Sequence, residues 1–355
     1  MIYKGIEEYK PYIKLYGRQL IKDGQVILGY TNTSAAFSFK GRSVSVTVKT
    51  GDNDEVNMPG LRVYVKKGSD SQAKVKENPY EMEYVKDIVV TEQSMKVELF
   101  SSDEEDIYTV KLVKITEAAM SYVAIDDIET DGELTEWIPS EDKRTRVEFI
   151  GDSITCGYGV LGAPDSEYTV REEDGEKCYA YLMAKEMNWN AKWASVSGYG
   201  VFVEYTCDSM GVIPRVYPYK DWFIDRESLE DLETDQPEII VINLGTNDSG
   251  PSGQDKVYLY GLKAAYESFL WYLRQHYKTA KIVCTLGTLA PGMYQHVAEV
   301  VEKVKSLGYT DIYGFELPVH DVENDGMASG HPSLKTHQKD ADRLLAFMKE
   351  QGIIS

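Results

Sequence analysis

At 355 residues, 43% of them hydrophobic and 27% charged, the chain holds enough apolar material for two buried cores and lacks the composition of a disordered protein. Its 58 acidic residues against 38 basic ones leave a net charge of -20. A field of that sign repels phosphate backbones and anionic lipid headgroups, so nucleic acid and membrane partners are disfavoured and a neutral substrate fits better.

The opening MIYKGIEEYKPYIK has no apolar stretch of the kind a signal peptide carries. No later run approaches the roughly 18 uninterrupted apolar residues of a membrane span. A cytoplasmic chain is the expectation, although a secreted protein trimmed of its leader would read the same. The four cysteines, Cys156, Cys178, Cys207 and Cys284, form no CxxC pair. A zinc or thioredoxin-like site lacks its spacing, and buried free thiols are expected.

Residues 1–140 read as strands. FSFKGRSVSVTVKTG (37–51) alternates Phe37, Phe39, Val44, Val46 and Val48 with polar neighbours, which is the period of a half-buried strand. LRVYVKKG, MEYVKDIVV, SMKVELFSS and IYTVKLVKITE follow, separated by Gly, Asp, Ser and Asn clusters. Many short strands with turns between them predict an antiparallel β-sandwich or jelly roll, with no helix of useful length among them. The charged, turn-rich stretch 129–146 is the expected linker.

Residues 141–355 change pattern. RVEFIGDS, AKWASV, PEIIVINL, AKIVCTLGT and TDIYGFELP read as strands. Helical segments alternate with them at 177–188, 258–277, 296–308 and after His331. Apolar strands alternating with helices predict a parallel sheet covered on both faces. Ligands bind such sheets beyond the carboxyl ends of the strands. Polar blocks fall at that edge: GDSIT (151–155), SGYG (197–200) and GTND (245–248), with GHPSLKTH (330–337) before the last helix.

The ordered set GDSIT, SGYG, GTND and HP resembles the SGNH (GDSL-type) hydrolases over about residues 145–355. With a β domain in front, the whole chain resembles carbohydrate esterase family 2, which joins a jelly roll to an SGNH domain and deacetylates plant polysaccharides. The resemblance implies Ser153 as nucleophile and His331 as general base. It implies an oxyanion hole of the Ser153 and Gly198 backbone N–H groups and the Asn247 amide. Each role has a chemical reason. A hydroxyl needs a base to become a nucleophile. An imidazole titrating near neutrality can take its proton and return it. Fixed donors stabilise the charge that builds on the carbonyl oxygen. A glycine at 198 lets backbone approach the substrate closely, with Gly200 the alternative two residues away. His276, His296, His320 and His337 are expected to be structural.

One departure stands out. Members of the family usually carry an Asp three residues before the His, or two before in many family 2 enzymes. Those positions here are Ala328 and Ser329. The expectation is a Ser–His dyad backed by a carbonyl of the 325–330 loop, with Asp325 or Asp321 as substitutes if the loop folds back. Among the aromatics, Tyr199, Tyr158 and Trp222 are candidate sugar-stacking residues, and the segment 205–223 reads as an irregular active-site rim.

The function implied is a carbohydrate O-acetylesterase acting on xylan- or mannan-derived oligosaccharides, with preference for a primary 6-hydroxyl, and needing no metal or cofactor. Two alternatives stay open. One is an SGNH lipid esterase, thioesterase or acyltransferase, because fold does not fix substrate. The other is a glycan-binding protein with an inactive hydrolase domain.

Overall fold

The computed structural model describes residues 1–51, 57–139, 141–234, 236–252 and 255–355. The chain divides into two compact units, one of residues 1–144 with 169–171, the other of 145–168 with 172–355. Ser140, at the expected boundary, lies outside the described residues.

Among the described residues the first unit is built on a ten-stranded sheet whose pairings are all antiparallel. Its spine is the strand Ser34–Lys49, paired along one edge with Ser94–Lys114. Along its other edge three partners take turns: Ile13–Tyr16, then Glu133–Thr135, then Val123–Thr130. The sheet curls around a core that receives Phe37, Phe39, Val44, Val46 and Val48, the residues the alternation singles out. The spine's first half is buried on its second face as well.

A helix the sequence pattern missed, Ser71–Glu77, belongs to that second face. Its Ser71 Oγ accepts a 2.7 Å hydrogen bond from Thr109 Oγ1, which also bonds Ser38 Oγ at 2.7 Å. Its Val75 packs in a small cluster with Ala36, Met82 and Trp137. The helix escapes a periodicity search because only Ser71 and Val75 of its seven residues are buried. The expected linker is also shorter than read: residues 129–135 supply strand pairing to the first unit.

The second unit carries a five-stranded parallel sheet. Its strands are β1 (Arg146–Gly151), β2 (Asn190–Ser195), β3 (Ile239–Asn243), β4 (Lys281–Leu286) and β5 (Ile312–Glu316), in spatial order β2-β1-β3-β4-β5. Its helices include α1 (Ser153–Cys156), α2 (Tyr179–Glu186), α3 (Thr246–Ser252), α4 (Lys256–His276), α5 (Tyr294–Ser306) and α6 (Leu334–Glu350). Helix α6 packs with α2, and α4 with α5. Every residue of β3 is buried, as a strand covered on both faces requires.

The register of the sheet positions the site. Gly151, the last residue of β1, pairs with Ser195 at the end of β2 and Asn243 at the end of β3. Neighbouring strands lie about 4.8 Å apart. Three blocks distant in sequence therefore leave the sheet at one level, side by side.

Three further expectations meet the structure here. Cys156, Cys178 and Cys284 are buried and free, but Cys207 is exposed, in a turn-rich stretch whose neighbours Tyr205 to Met210 are exposed too. The segment 205–223 is not wholly irregular: it contains the short helix Ile213–Val216 and the strand Tyr219–Asp221, which pairs with Asp225–Leu229. Among the described residues no helix is long and apolar enough to cross a membrane.

Candidate active site

Ser153 opens α1 immediately after β1. The helix cap is Asp152, whose carboxylate accepts the Ile154 N–H at 3.0 Å. That frees Ser153 from capping and leaves its hydroxyl at the head of the helix. His331 Nε2 lies 2.9 Å from Ser153 Oγ, and His331 Nδ1 lies 3.1 Å from the carbonyl oxygen of Ser329. A carbonyl oxygen only accepts, so Nδ1 carries the proton and Nε2 presents its lone pair to the serine hydroxyl. The tautomer that a base needs is thus set by backbone.

A tight hairpin aims that carbonyl. Ala328 pairs with His331 across the two residues Ser329 and Gly330. Both have positive φ, +46° and +72°, the signature of a type I′ turn. Asp325 and Asp321, the substitutes weighed from sequence, face elsewhere. Asp325 binds Lys339 at 2.6 Å and Lys335 at 3.2 Å, and those ammonium partners hold its carboxyl below the usual range. Asp321 accepts from Asn324 N–H and Nδ2 at 3.1 and 2.7 Å. Replacing Asp325 by Ala is therefore expected to leave turnover within about fivefold of wild type, the scale of a partly exposed ion pair; initial rates on a chromogenic acetate ester check this.

The expected oxyanion donors lie on the loops that follow the three neighbouring strands. Among the described residues no acceptor meets the backbone N–H of Ser153 or of Gly198. The N–H of Gly200 is by contrast bonded to the Gly211 carbonyl at 3.2 Å, which favours Gly198 over Gly200. Gly198 has φ +79°, and a Cβ there would lie 3.0 Å from Cδ1 of Tyr205. Asn247, in the first turn of α3, donates from Nδ2 to the Tyr199 carbonyl at 2.9 Å and approaches Asp152 Oδ2 at 3.5 Å. The amide is thereby tied to both flanking loops.

Two buried carboxyls support this arrangement, and the sequence reading passed over both. Asp248 gathers the N–H groups of Val201, Phe202 and Val203 at 2.9, 2.8 and 3.0 Å, fixing the loop that follows Gly198. Burial raises its proton affinity in spite of those bonds. Asp152 is pushed up to about 7 by burial, with the Asp248 charge adding to the shift. A lone carboxylate following an apolar strand was the available signal for each.

The candidate sugar-stacking residues separate. Tyr158 lies against the His331 ring at 4.5 Å and stacks on Tyr168 at 3.7 Å, whose hydroxyl donates to Glu173. Tyr199 joins the site through its carbonyl, with its ring 6.1 Å from Phe223. Trp222 sits instead under the guanidinium groups of Arg226 and Arg215, 4.5 and 5.4 Å from its ring centre. Exposed Tyr205, beside Gly198, was not singled out from sequence.

Of the other histidines, His337 is buried, accepts the Tyr179 N–H at 3.2 Å, and is held down to about 3 by burial. His276 faces Glu233 at 3.2 Å. Burial lowers the proton affinity of His331 too, partly offset by the bond to the Ser329 carbonyl.

A hydroxyl beside an imidazole of fixed tautomer, with N–H donors on the adjacent loops, can carry acyl transfer. Comparison with known proteins agrees with that chemistry. Cellulase/esterase CelE of Acetivibrio thermocellus is 30% identical over 313 residues, which span 85% of this chain and 37% of that protein. The chain thus spans little more than a third of that relative. An acetylxylan esterase / glucomannan deacetylase of Cellvibrio japonicus is 22% identical over 262 residues, 73% of this chain and 71% of that one. The solved structure of a family two carbohydrate esterase from Clostridium thermocellum, in complex with cellohexaose, superposes with a TM-score of 0.81 at 27% identity, covering 96% of this chain and 98% of that one. Residues 149–339, more than half of the chain, match the GDSL-like Lipase/Acylhydrolase family, and the chain belongs to that family.

Proposed function

We propose that this chain is a carbohydrate O-acetylesterase working through an acetyl-enzyme on Ser153. The observation that carries the reading is the 2.9 Å contact between His331 Nε2 and Ser153 Oγ, in a unit where the N–H groups of Ser153 and Gly198 meet no acceptor among the described residues. The relatives named cellulase/esterase and acetylxylan esterase supply the substrate class.

His331 takes the Ser153 proton as Oγ attacks the acetyl carbonyl carbon. The oxyanion forms among the N–H groups of Ser153 and Gly198 and the Asn247 amide. His331 then passes its proton to the departing sugar oxygen, leaving acetyl-Ser153. Water, deprotonated by His331, releases acetate and restores the hydroxyl. The finer reading is acetyl on xylan- or mannan-type oligosaccharides, a primary 6-hydroxyl preferred, Tyr158 and Tyr199 near the sugar, and the 205–223 segment as rim. The curled sheet of the first unit is read as a jelly roll, on the strength of its antiparallel pairing.

Acetate release from acetylated manno- and xylo-oligosaccharides tests the substrate class. Acetyl esters should turn over well ahead of octanoyl esters; the reverse order would favour a lipid esterase. The base must be neutral to act, and burial lowers its pKa from 6.5. The acidic limb of kcat/KM is therefore expected to have its midpoint below 6.5, with activity retained above it and lost as pH falls through it. A pH profile between 4 and 9 checks this; a midpoint above 7 would contradict it.

A further inference from the structure

We propose that Ser329 and Glu172 are positioning residues for the Ser153–His331 pair, the Ser329 hydroxyl acting as a latch that holds its own carbonyl on His331 Nδ1. The inference rests on the reading of His331 as general base.

The starting observation is a conformational cost. The first central position of a type I′ turn suits Asn or Gly, and a serine at φ +46° is strained there. Strain at a site is tolerated when surrounding contacts over-determine it. Ser329 has such contacts, all from one neighbouring stretch. Its N–H donates to the Ala163 carbonyl at 2.9 Å. Its Oγ lies 2.9 Å from Ser166 Oγ and 3.3 Å from Glu172 Oε2. Ser166 Oγ also lies 2.9 Å from the Ala163 carbonyl, which only accepts, so its proton goes there and the Ser329 hydroxyl donates its own, shared between Ser166 Oγ and Glu172 Oε2.

The facing loop is shaped to admit that hydroxyl. A Cβ on Gly162 would lie 2.0 Å from Ser329 Oγ, and one on Gly159 would lie 2.7 Å from Ser329 Cβ. Gly162 does not need a left-handed backbone, so space alone accounts for a glycine there. The Ser329 side chain is therefore fixed in a slot, and the peptide carrying the carbonyl is fixed with it. In this chain the family's usual aspartate is absent at 328 and 329. Its task of orienting the imidazole falls to a carbonyl, and Glu172 supplies a carboxylate one hydroxyl removed from that carbonyl.

The test compares the full-length wild type with Ser329→Gly, Glu172→Ala, Glu172→Gln and Gly162→Ala. Each is measured by steady-state kinetics across pH, by thermal unfolding and by ¹⁵N-histidine NMR, with the His331 signals assigned by their loss in His331→Gln. Glycine accepts the turn without strain, so Ser329→Gly is expected to unfold no lower than wild type. Its kcat should nonetheless fall about tenfold with KM within about twofold, the low end for loss of an orienting partner. Glu172→Ala and Gly162→Ala should behave alike. Glu172→Gln should recover, since its amide oxygen can accept the same proton. Adding Gly162→Ala to Ser329→Gly should cost less than Gly162→Ala costs alone, because the 2.0 Å conflict with the hydroxyl is gone and only the contacts with Ser166 Oγ at 2.9 Å and Glu172 Cδ at 3.1 Å remain.

The carbonyl bond raises the His331 pKa against burial. Loosening it should move the acidic limb and the NMR titration to lower pH and reduce the Nδ1–H tautomer. Wild-type kcat together with unmoved His331 signals in Ser329→Gly and Glu172→Ala would overturn the latch. So would a loss confined to KM or explained by a lower unfolding temperature. The NMR arm needs no turnover: if esterase activity is absent altogether, the functional reading fails while the tautomer and titration still decide the latch.

Discussion

Ser153→Ala is expected to lower kcat for acetate release about 10⁵-fold, and His331→Ala by a similar factor, while both variants keep the wild-type unfolding temperature. The reason is the shared proton. With Oγ removed there is no atom to acylate, and with the imidazole removed nothing accepts the hydroxyl proton at neutral pH. The two act as a unit, so the double variant should be no slower than either single one. Ser153 is buried and His331 half-buried, and a general base from bulk solvent cannot readily replace the imidazole. Parallel measurements of acetate release and thermal unfolding on the three variants check this. A double variant slower than the singles by the product of their losses would mean that the residues work separately.

Asn247→Ala is expected to lower kcat by about 10²- to 10³-fold with little change in KM, corresponding to roughly 3–4 kcal/mol of transition-state stabilisation. One N–H of the amide is held by the Tyr199 carbonyl at 2.9 Å, and the other, 3.5 Å from Asp152 Oδ2 and so only weakly engaged, is the one that meets the substrate oxygen. A donor held in advance costs no reorganisation when charge develops on the substrate oxygen. Because that charge is absent from the bound ester, the loss should fall on kcat. Initial rates over a range of acetylated oligosaccharide concentrations separate the two parameters. A rise in KM at constant kcat would assign Asn247 to substrate binding and remove it from the oxyanion hole.

The order of GDSIT, SGYG, GTND and HP was readable because each block follows an apolar strand or precedes a helix, and the sheet register then brings the first three together. The alternation at Phe37 to Val48 likewise picked out the core-facing residues of the strand, although its first half proves buried on both faces. What stayed hidden depends on packing between segments. Nothing in the sequence pairs Tyr158 with Tyr168, or Asp248 with the N–H groups of 201–203. The helix Ser71–Glu77 was too short and polar to show a period. Ser329 falls between. The missing aspartate pointed to a carbonyl in the 325–330 loop, and Ser-Gly between Ala328 and His331 is a turn signal. Which carbonyl faces the imidazole became clear only from the hairpin pairing and its two positive φ angles.

Catalysis by the Ser153–His331 pair requires a covalent acetyl group on one oxygen, Ser153 Oγ. Acid-quenching the protein during turnover of an acetylated oligosaccharide, followed by peptide mass mapping, reads it directly. The expected result is an acetyl increment on the peptide carrying Ser153, absent without substrate and absent in His331→Ala. Steady acetate release with no acetyl on Ser153, or with acetyl on another residue, would contradict it.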